Sequence, residues 1–136
     1  MLERFYHLRT EIKIFMGTKG KSVPEFEDEQ WNSDLAFLVD LTGHLNDLTF
    51  RLQGKNKLIS TMFQTITAFG TKLKLWHDQL NVIDLTHFKT LDKHHPVSCE
   101  KYEALVFELL QEFKSRFFDF RINEEYFNII YCSIFC

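Results

Sequence analysis

The sequence has few cysteines, no long hydrophobic run and no excess of positive charge. Its 136 residues include three cysteines, Cys99, Cys132 and Cys136. An odd number of cysteines cannot form a closed disulfide framework, which favours a reducing compartment. The apolar runs are short and interrupted, so no segment is expected to span a bilayer, and no apolar region after Met1 indicates a signal peptide.

The charge balance excludes a globally basic protein. Lys and Arg total 16 residues, Asp and Glu total 19, and the formal net charge is -3. Such a chain has no overall positive field that would attract nucleic acid, so any contact with DNA requires a local patch. Hydrophobic residues make up 45% of the chain and charged residues 26%, which is the composition of one globular domain.

The spacing of apolar residues is that of amphipathic helices. Alternation with period two is missing outside the ambiguous tail 126–136, whereas intervals of three and four residues recur throughout. The sequence therefore predicts an all-α fold. The four apolar stripes are Phe5, Leu8, Ile12 and Phe15; Trp31, Leu35, Leu38, Leu41, Leu45, Leu48 and Leu52; Ile59, Met62, Ile66, Phe69, Leu73, Trp76 and Leu80; and Tyr102, Val106, Leu109, Phe113, Phe117 and Phe120.

The breaks between the stripes predict how the helices are connected. Gly54, Lys55 and Asn56 provide a tight connection, so the second and third helices are expected to pack as an antiparallel hairpin. Residues 81–97 are interpreted as a long polar loop, and Ser98 is expected to cap the fourth helix. We therefore expect a fragment resembling a four-helix bundle, with this hairpin at its centre.

Gly20-Lys21-Ser22 matches the end of a phosphate-binding loop. That motif needs a further glycine with four residues between it and Gly20, so that backbone N–H groups can surround phosphate oxygens. Phe15 occupies the required position, and Gly17 is two residues too close. We interpret the segment as a helix stop in which Gly17 and Gly20 permit positive φ angles, and we expect no nucleotide.

Asp40, His44 and Asp47 fall on one side of the second predicted helix. Two carboxylates and an imidazole at this spacing could bind a metal ion or support proton transfer. No second set of carboxylates and histidines is available to converge with them, so the alternative is a solvated face.

Another group, His87, His94, His95 and Cys99, surrounds the long loop. Zinc sites commonly contain paired ligands such as Cys-x-x-Cys, and no such pairs occur here. We interpret this group as a polar loop with a buried Cys99. The sequence predicts no metal site, no cofactor and no catalytic residue.

Lysine pairs are the remaining indication of nucleic-acid binding. The candidate DNA contacts are Lys55, Lys57, Lys72 and Lys74. Strong binding requires roughly six to eight phosphate contacts, and the acidic balance of the chain opposes it. Ordinary solubilising charge is the alternative.

The segment WNSDLAFLVDLTGHLNDLTFRLQGKN, residues 31–56, closely resembles proteins derived from hAT-superfamily DNA transposons. These include zinc finger BED domain-containing proteins and the transposase-like region of general transcription factor II-I repeat domain-containing protein 2. The resemblance covers residues 2–125 and continues through MFQTITAFGTKLKLWHDQL and KYEALVFELLQEFKSRFFDFR. It implies that residues 1–125 correspond to the helical insertion of such a transposase, while the apolar tail 126–136 diverges from the family.

The resemblance also implies that the segment is not an enzyme. Family members carry three acidic metal ligands on an RNase H-like sheet, and nothing here matches the segments that bear them. A two-metal site needs carboxylates that converge on ions about 4 Å apart, so nuclease or transposase activity is the least supported function.

Two functions are left as alternatives. The first is a non-catalytic fragment of a domesticated or decayed hAT-type DNA transposase that at most binds proteins, or itself, through helical faces; the second is a nuclear DNA-binding or transcription-related accessory protein. DNA binding that weakens with salt and with neutralisation of the four lysines would favour the second, whereas concentration-dependent self-association would favour the first.

Overall fold

A computed structural model describes the backbone of residues 1–54 and 58–135, and the side chains of residues 1–54, 58–117 and 129. No strand occurs in this part of the chain, so the prediction of an all-α fold without an RNase H-like sheet is confirmed for it. The helices are α1 (Leu2–His7), α2 (Arg9–Thr18), α3 (Glu29–Leu52), α4 (Ile59–Asn81), α5 (Lys89–Asp92) and α6 (Glu100–Phe135), with a 3-10 helix at Pro24–Glu27.

The first predicted helix is in fact two helices that meet at Leu8. Tyr6 in α1 is buried against the core, whereas Phe15 in α2 is 59% exposed. After the break, α2 runs along the surface and buries none of its residues. The expected continuous face from Phe5 to Phe15 is therefore wrong in its second half, because the helix is interrupted at Leu8, whose φ and ψ are -93° and 7°.

The first half of α3 lies at the centre of the molecule. Asp28 is the N-cap of this helix, because its side chain accepts a hydrogen bond from the N–H of Gln30 at 2.9 Å. Several elements surround the next two turns, so burial there is not confined to one stripe. The buried residues of α3 are Asn32, Ser33, Leu35, Ala36, Phe37 and Val39. In the second half, Leu41, Leu45 and Leu48 are only half-buried.

Helices α3, α4 and α6 pack with successive antiparallel directions. The ring of His44 in α3 stacks on Trp76 of α4 at 4.2 Å, while Arg51, further along α3, faces the beginning of α4. Between α4 and α6, His77 contacts Glu103 at 2.6 Å, and Phe69 packs on Phe113 at 5.4 Å. The central antiparallel hairpin is confirmed, although α4 packs more extensively against α6 than against α3.

The predicted stripes of α4 and α6 are largely confirmed. All five buried residues of α4 belong to its predicted stripe: Ile66, Phe69, Leu73, Trp76 and Leu80. In α6, Tyr102 and Val106 are buried as expected, and Leu110 is buried where Leu109 was predicted. The backbone of α6 continues as helix to Phe135, through most of the ambiguous tail, while the side chain of Phe120 lies outside the described residues.

The connection between α4 and α6 is not the polar loop expected from its sequence. Leu85, Phe88 and Leu91 recur every three residues and are buried, with α5 carrying the last of them. These apolar side chains keep the segment packed against α3 instead of leaving it in solvent. The prediction for Ser98 is confirmed, since its hydroxyl accepts a hydrogen bond from the N–H of Glu100 at 3.3 Å.

The Gly-Lys-Ser segment ends α2 as a Schellman motif. The N–H of Lys21 donates to the carbonyl of Met16 at 3.0 Å, and the N–H of Gly20 donates to that of Gly17 at 3.1 Å. Gly20 has a φ of 69°, whereas Gly17 lies inside the helix without a positive φ. The predicted helix stop is confirmed, with only one of the two glycines in the left-handed region.

We predict that Gly20→Ala destabilises α2 by about 1 kcal/mol, because alanine is strained at positive φ. Hydrogen exchange of the α2 amides should then accelerate roughly fivefold. Gly17→Ala is the matched control, since it adds a methyl group with no neighbour within 4 Å at a helical position and should slow exchange. Slower exchange in the Gly20 variant would contradict this assignment.

Candidate functional site

Asp40 and His44 attach the connection between α4 and α6 to α3. The carboxylate of Asp40 accepts hydrogen bonds from the N–H groups of Thr90, at 3.2 Å, and Leu91, at 2.9 Å. The Nε2 atom of His44 lies 2.7 Å from the carbonyl oxygen of His87, to which it donates in the matching tautomer. These side chains therefore hold the backbone of a neighbouring segment, and the expectation of a solvated face is wrong for them.

Asp47 is a surface residue, as expected if this face of the helix is solvated and has no metal-binding or catalytic role. Its carboxylate pairs with Arg51 one turn later, at 3.2 Å, and both side chains are more than half exposed. The spacing of Asp40, His44 and Asp47 on one helix thus produces two structural contacts and one surface ion pair, without bringing the three groups to a common centre.

The histidines around the α4–α6 connection have separate partners. His87 hydrogen-bonds Gln79 at 2.8 Å, and His94 contacts Tyr6. Cys99 is 2% exposed, and burial raises the pKa of its thiol. Within residues 1–54 and 58–117, no three His, Cys, Asp or Glu side chains are grouped so that they could hold a metal ion. The interpretation of Cys99 as a buried core residue is confirmed.

A polar cluster joins α1 to the connection before α6. The hydroxyl of Tyr6 lies 2.6 Å from Nε2 of His94, and the guanidinium of Arg9 lies 4.0 Å from the centre of the Tyr6 ring. Arg9 also donates a hydrogen bond to the side chain of Asn32. Burial and, next, the charge of Arg9 lower the pKa of His94, against a smaller opposite effect of Glu29. Sequence reasoning missed this cluster because its members are far apart in the chain.

A second cluster connects α3 with the first turn of α6. The hydroxyl of Tyr102 donates to Asp34 at 2.9 Å, and Lys101 pairs with the same carboxylate at 2.6 Å. Burial raises the pKa of Tyr102, and its bond to Asp34 raises it further. Partial burial opposes ionisation of Asp34, but hydrogen bonds from Lys101, Gln30 and Tyr102 together lower its pKa. The apolar spacing of the fourth predicted helix indicated that Tyr102 is buried. Nothing in the sequence indicated that its hydroxyl contacts Asp34.

The four candidate DNA contacts are not on one described surface. Lys72 lines the groove between α3 and α4, and Lys74 lines the groove between α4 and α6. Residues two positions apart on a helix point in nearly opposite directions, which explains the separation. Lys55 and Lys57 lie outside the described residues. DNA contact through these lysines stays a prediction.

The groove between α4 and α6 is open, mainly apolar and about 500 Å³ in volume. Phe63 and Ile66 from α4 and Phe113 and Phe117 from α6 form its apolar lining. Sequence reasoning placed Phe63 on no stripe and assigned the other three to the core. The groove depends on where α4 and α6 diverge, which their separate sequences do not specify.

None of the helices in the described part of the chain is both long and apolar enough to cross a lipid bilayer. The fold and these contacts define the chain as an all-α domain whose polar clusters hold helices together. The family described as the FAM200/GTF2IRD2 helical domain matches residues 1–81. The chain belongs to this family.

Known proteins include relatives that are similar over most of the chain. General transcription factor II-I repeat domain-containing protein 2 of Bos taurus is 40% identical over 129 residues, 91% of this chain and 13% of that protein. The protein of the same name from Mus musculus is 40% identical over 126 residues, 91% of this chain and 14% of that protein. No solved structure shows significant similarity. The resemblance to this protein is thus confirmed, while hAT ancestry and similarity to BED proteins stay predictions.

We predict that Asp40→Ala lowers the free energy of unfolding by about 1–2 kcal/mol, because it leaves two backbone N–H groups without their acceptor. Urea unfolding followed by circular dichroism measures the change. Asp47→Ala on the same helix is the control and should cost about 0.3–0.5 kcal/mol, the contribution of an exposed pair one turn apart. Equal effects of the two substitutions would contradict the role assigned to Asp40.

We predict that His94 makes the protein less stable in mild acid. The ordinary pKa of histidine is 6.5, and that of His94 is lower in the folded chain, so the unfolded chain takes up its proton first. The free energy of unfolding should therefore decrease as pH falls below this value, until His94 is also protonated in the folded state. His94→Asn should reduce the dependence of the free energy of unfolding on pH, whereas His95→Asn should retain it. An unchanged pH dependence in the His94 variant would contradict the role assigned to His94.

Proposed function

We propose that this chain is a non-catalytic protein-interaction domain of a larger, transposase-derived nuclear protein. The observation that carries the proposal is the open groove between α4 and α6, whose mainly apolar lining includes the half-buried rings of Phe63, Phe113 and Phe117. Apolar side chains that cluster at a surface commonly mark a site where another molecule binds.

Other apolar side chains around the groove's two helices support an interaction surface. Leu75 in α4 and Phe107 in α6 are 45% and 46% exposed, in addition to the groove itself. Phe107, whose ring also packs on His77 at 5.4 Å, is of the aromatic type that often carries much of the energy of protein interfaces.

The relatives support a role inside a larger protein. The chain spans 13–14% of the length of the two relatives, so the domain contributes one part of whatever such a protein does. The two relatives are named for a repeat of general transcription factor II-I, which favours the nucleus and a role in transcription. The resemblance to hAT transposases implies that the catalytic acids lie outside the matching segment, and this supports a role without catalysis.

The DNA-binding alternative has less support from the arrangement of charge. Lys72 and Lys74 lie in different grooves, so they cannot follow one phosphate backbone on a single face. The groove that favours the proposal is apolar at its base, whereas phosphate contacts are made by cationic and polar groups.

Site-specific photo-cross-linking in living cells tests the proposal. A photoreactive amino acid at Thr67, which lines the groove between α4 and α6, should give discrete protein adducts several-fold more often than one at Thr61. Both residues are exposed threonines of α4, and Thr61 lines neither groove described above. Equal yields at the two positions, or adducts with nucleic acid alone, would refute a protein-binding groove.

A further inference from the structure

We infer that the groove between α4 and α6 accepts an acidic amphipathic helix from a protein partner. The inference rests on the proposed function and adds the chemistry of the partner to it. Three features of the described residues carry it: an apolar base, a cationic rim and a shape set by two antiparallel helices.

The base of the groove is built to contact apolar side chains. Phe63 and Ile66 are about one turn apart on α4, and Phe113 and Phe117 are one turn apart on α6. Gly70 lies in the same lining, where an added methyl group would come within 3.3 Å of the Phe113 ring. Glycine at this position therefore leaves room for the aromatic ring at the bottom of the groove.

The rim carries positive charge that has no ion-pair partner among the described residues. Lys74 from α4 and Lys114 from α6 both line the groove, and both are exposed. Neither lysine forms an ion pair within residues 1–54 and 58–117. Two glutamates elsewhere on α6 pair with other residues, Glu103 with His77 and Glu112 with Arg116.

The charge of the groove is opposite to that of the chain. The protein carries a formal net charge of -3, yet the described residues that line this groove include two lysines and no carboxylate. Negative groups on a partner would meet the lysines at the rim while its apolar groups enter the base. Complementary charge of this kind selects partners and speeds their encounter.

The arrangement of the groove favours a helical partner. Two antiparallel helices create a depression that runs along their axes, and a third helix fits such a depression by its apolar stripe. Apolar residues at i, i+3, i+4 and i+7 of that helix would match the one-turn spacing of the groove's own side chains. Acidic residues beside the stripe would lie near Lys74 and Lys114.

Fluorescence anisotropy with designed peptides tests the inference on the full 136-residue chain. The probe is a labelled helical peptide with leucines at i, i+3, i+4 and i+7, flanked by glutamates. A second peptide carries lysines in place of the glutamates, and a third carries serines in place of the leucines. The acidic peptide should bind saturably and about tenfold more tightly than either control peptide.

Charge-reversal substitutions at the rim test whether the peptide binds in the groove between α4 and α6. The double variant Lys74→Glu and Lys114→Glu should weaken binding of the acidic peptide about tenfold and strengthen binding of the basic one. Lys72→Glu is the matched control, because it reverses an exposed lysine of the same helix that lines the other groove. Its affinity for the acidic peptide should change less than twofold, and circular dichroism should confirm that all variants keep their helix content.

Several outcomes would overturn the inference. They are no saturable binding of the acidic peptide, equal binding of the acidic and basic peptides, and an equal loss in the Lys72 variant. Displacement of the bound peptide by duplex DNA at physiological salt would assign the rim to nucleic acid. If cross-linking at Thr67 succeeds while the peptide experiment fails, the groove binds proteins of another chemistry and only this inference is lost.

Discussion

The stacking of three buried aromatic rings holds the parts of this domain together. Phe37 of α3 stacks on Tyr102 of α6 at 4.6 Å and on Phe88, next to α5, at 5.5 Å. All three side chains are at most 2% exposed. Because they come from α3, from the connection and from α6, their contact fixes where α6 begins relative to α3. The position of α6 then determines the groove that it forms with α4.

Polar contacts around these rings fix the orientation of the same elements. Asp40 binds the backbone at the start of α5, and Asp34 accepts the hydroxyl of Tyr102. These groups are hydrogen-bonded where they are buried, which avoids the cost of an unsatisfied polar atom. Asp40 and His44, two of the residues that suggested chemistry in the sequence, therefore join segments of the fold.

Helical periodicity predicted the parts of the fold in which one helix faces one side of the core. It was most successful for α4, since this helix contacts its neighbours through a single stripe. It was least successful for the first half of α3, where Phe37 and Val39 are buried outside the leucine stripe because several elements surround the helix. The packed connection containing Phe88 also escaped prediction, as its polar residues concealed three regularly spaced apolar ones.

The candidate interaction surface was less predictable than the fold. The opposite directions of Lys72 and Lys74 follow from helical geometry and were available from the sequence. The meeting of Lys74 with Lys114 at the rim of one groove was not, because it depends on the register between α4 and α6. Family resemblance identified the class of domain, but only the packing of the two helices revealed the groove for which we propose a partner.

The contact of Phe37 with Phe88 and Tyr102 can be measured directly by nuclear magnetic resonance on the 136-residue chain. Nuclear Overhauser effects between the ring protons of Phe37 and those of both partner rings are the result that the account predicts. Strong effects to only one ring, or averaged aromatic signals without long-range effects, would contradict the arrangement of α3, the connection and α6 on which the groove depends.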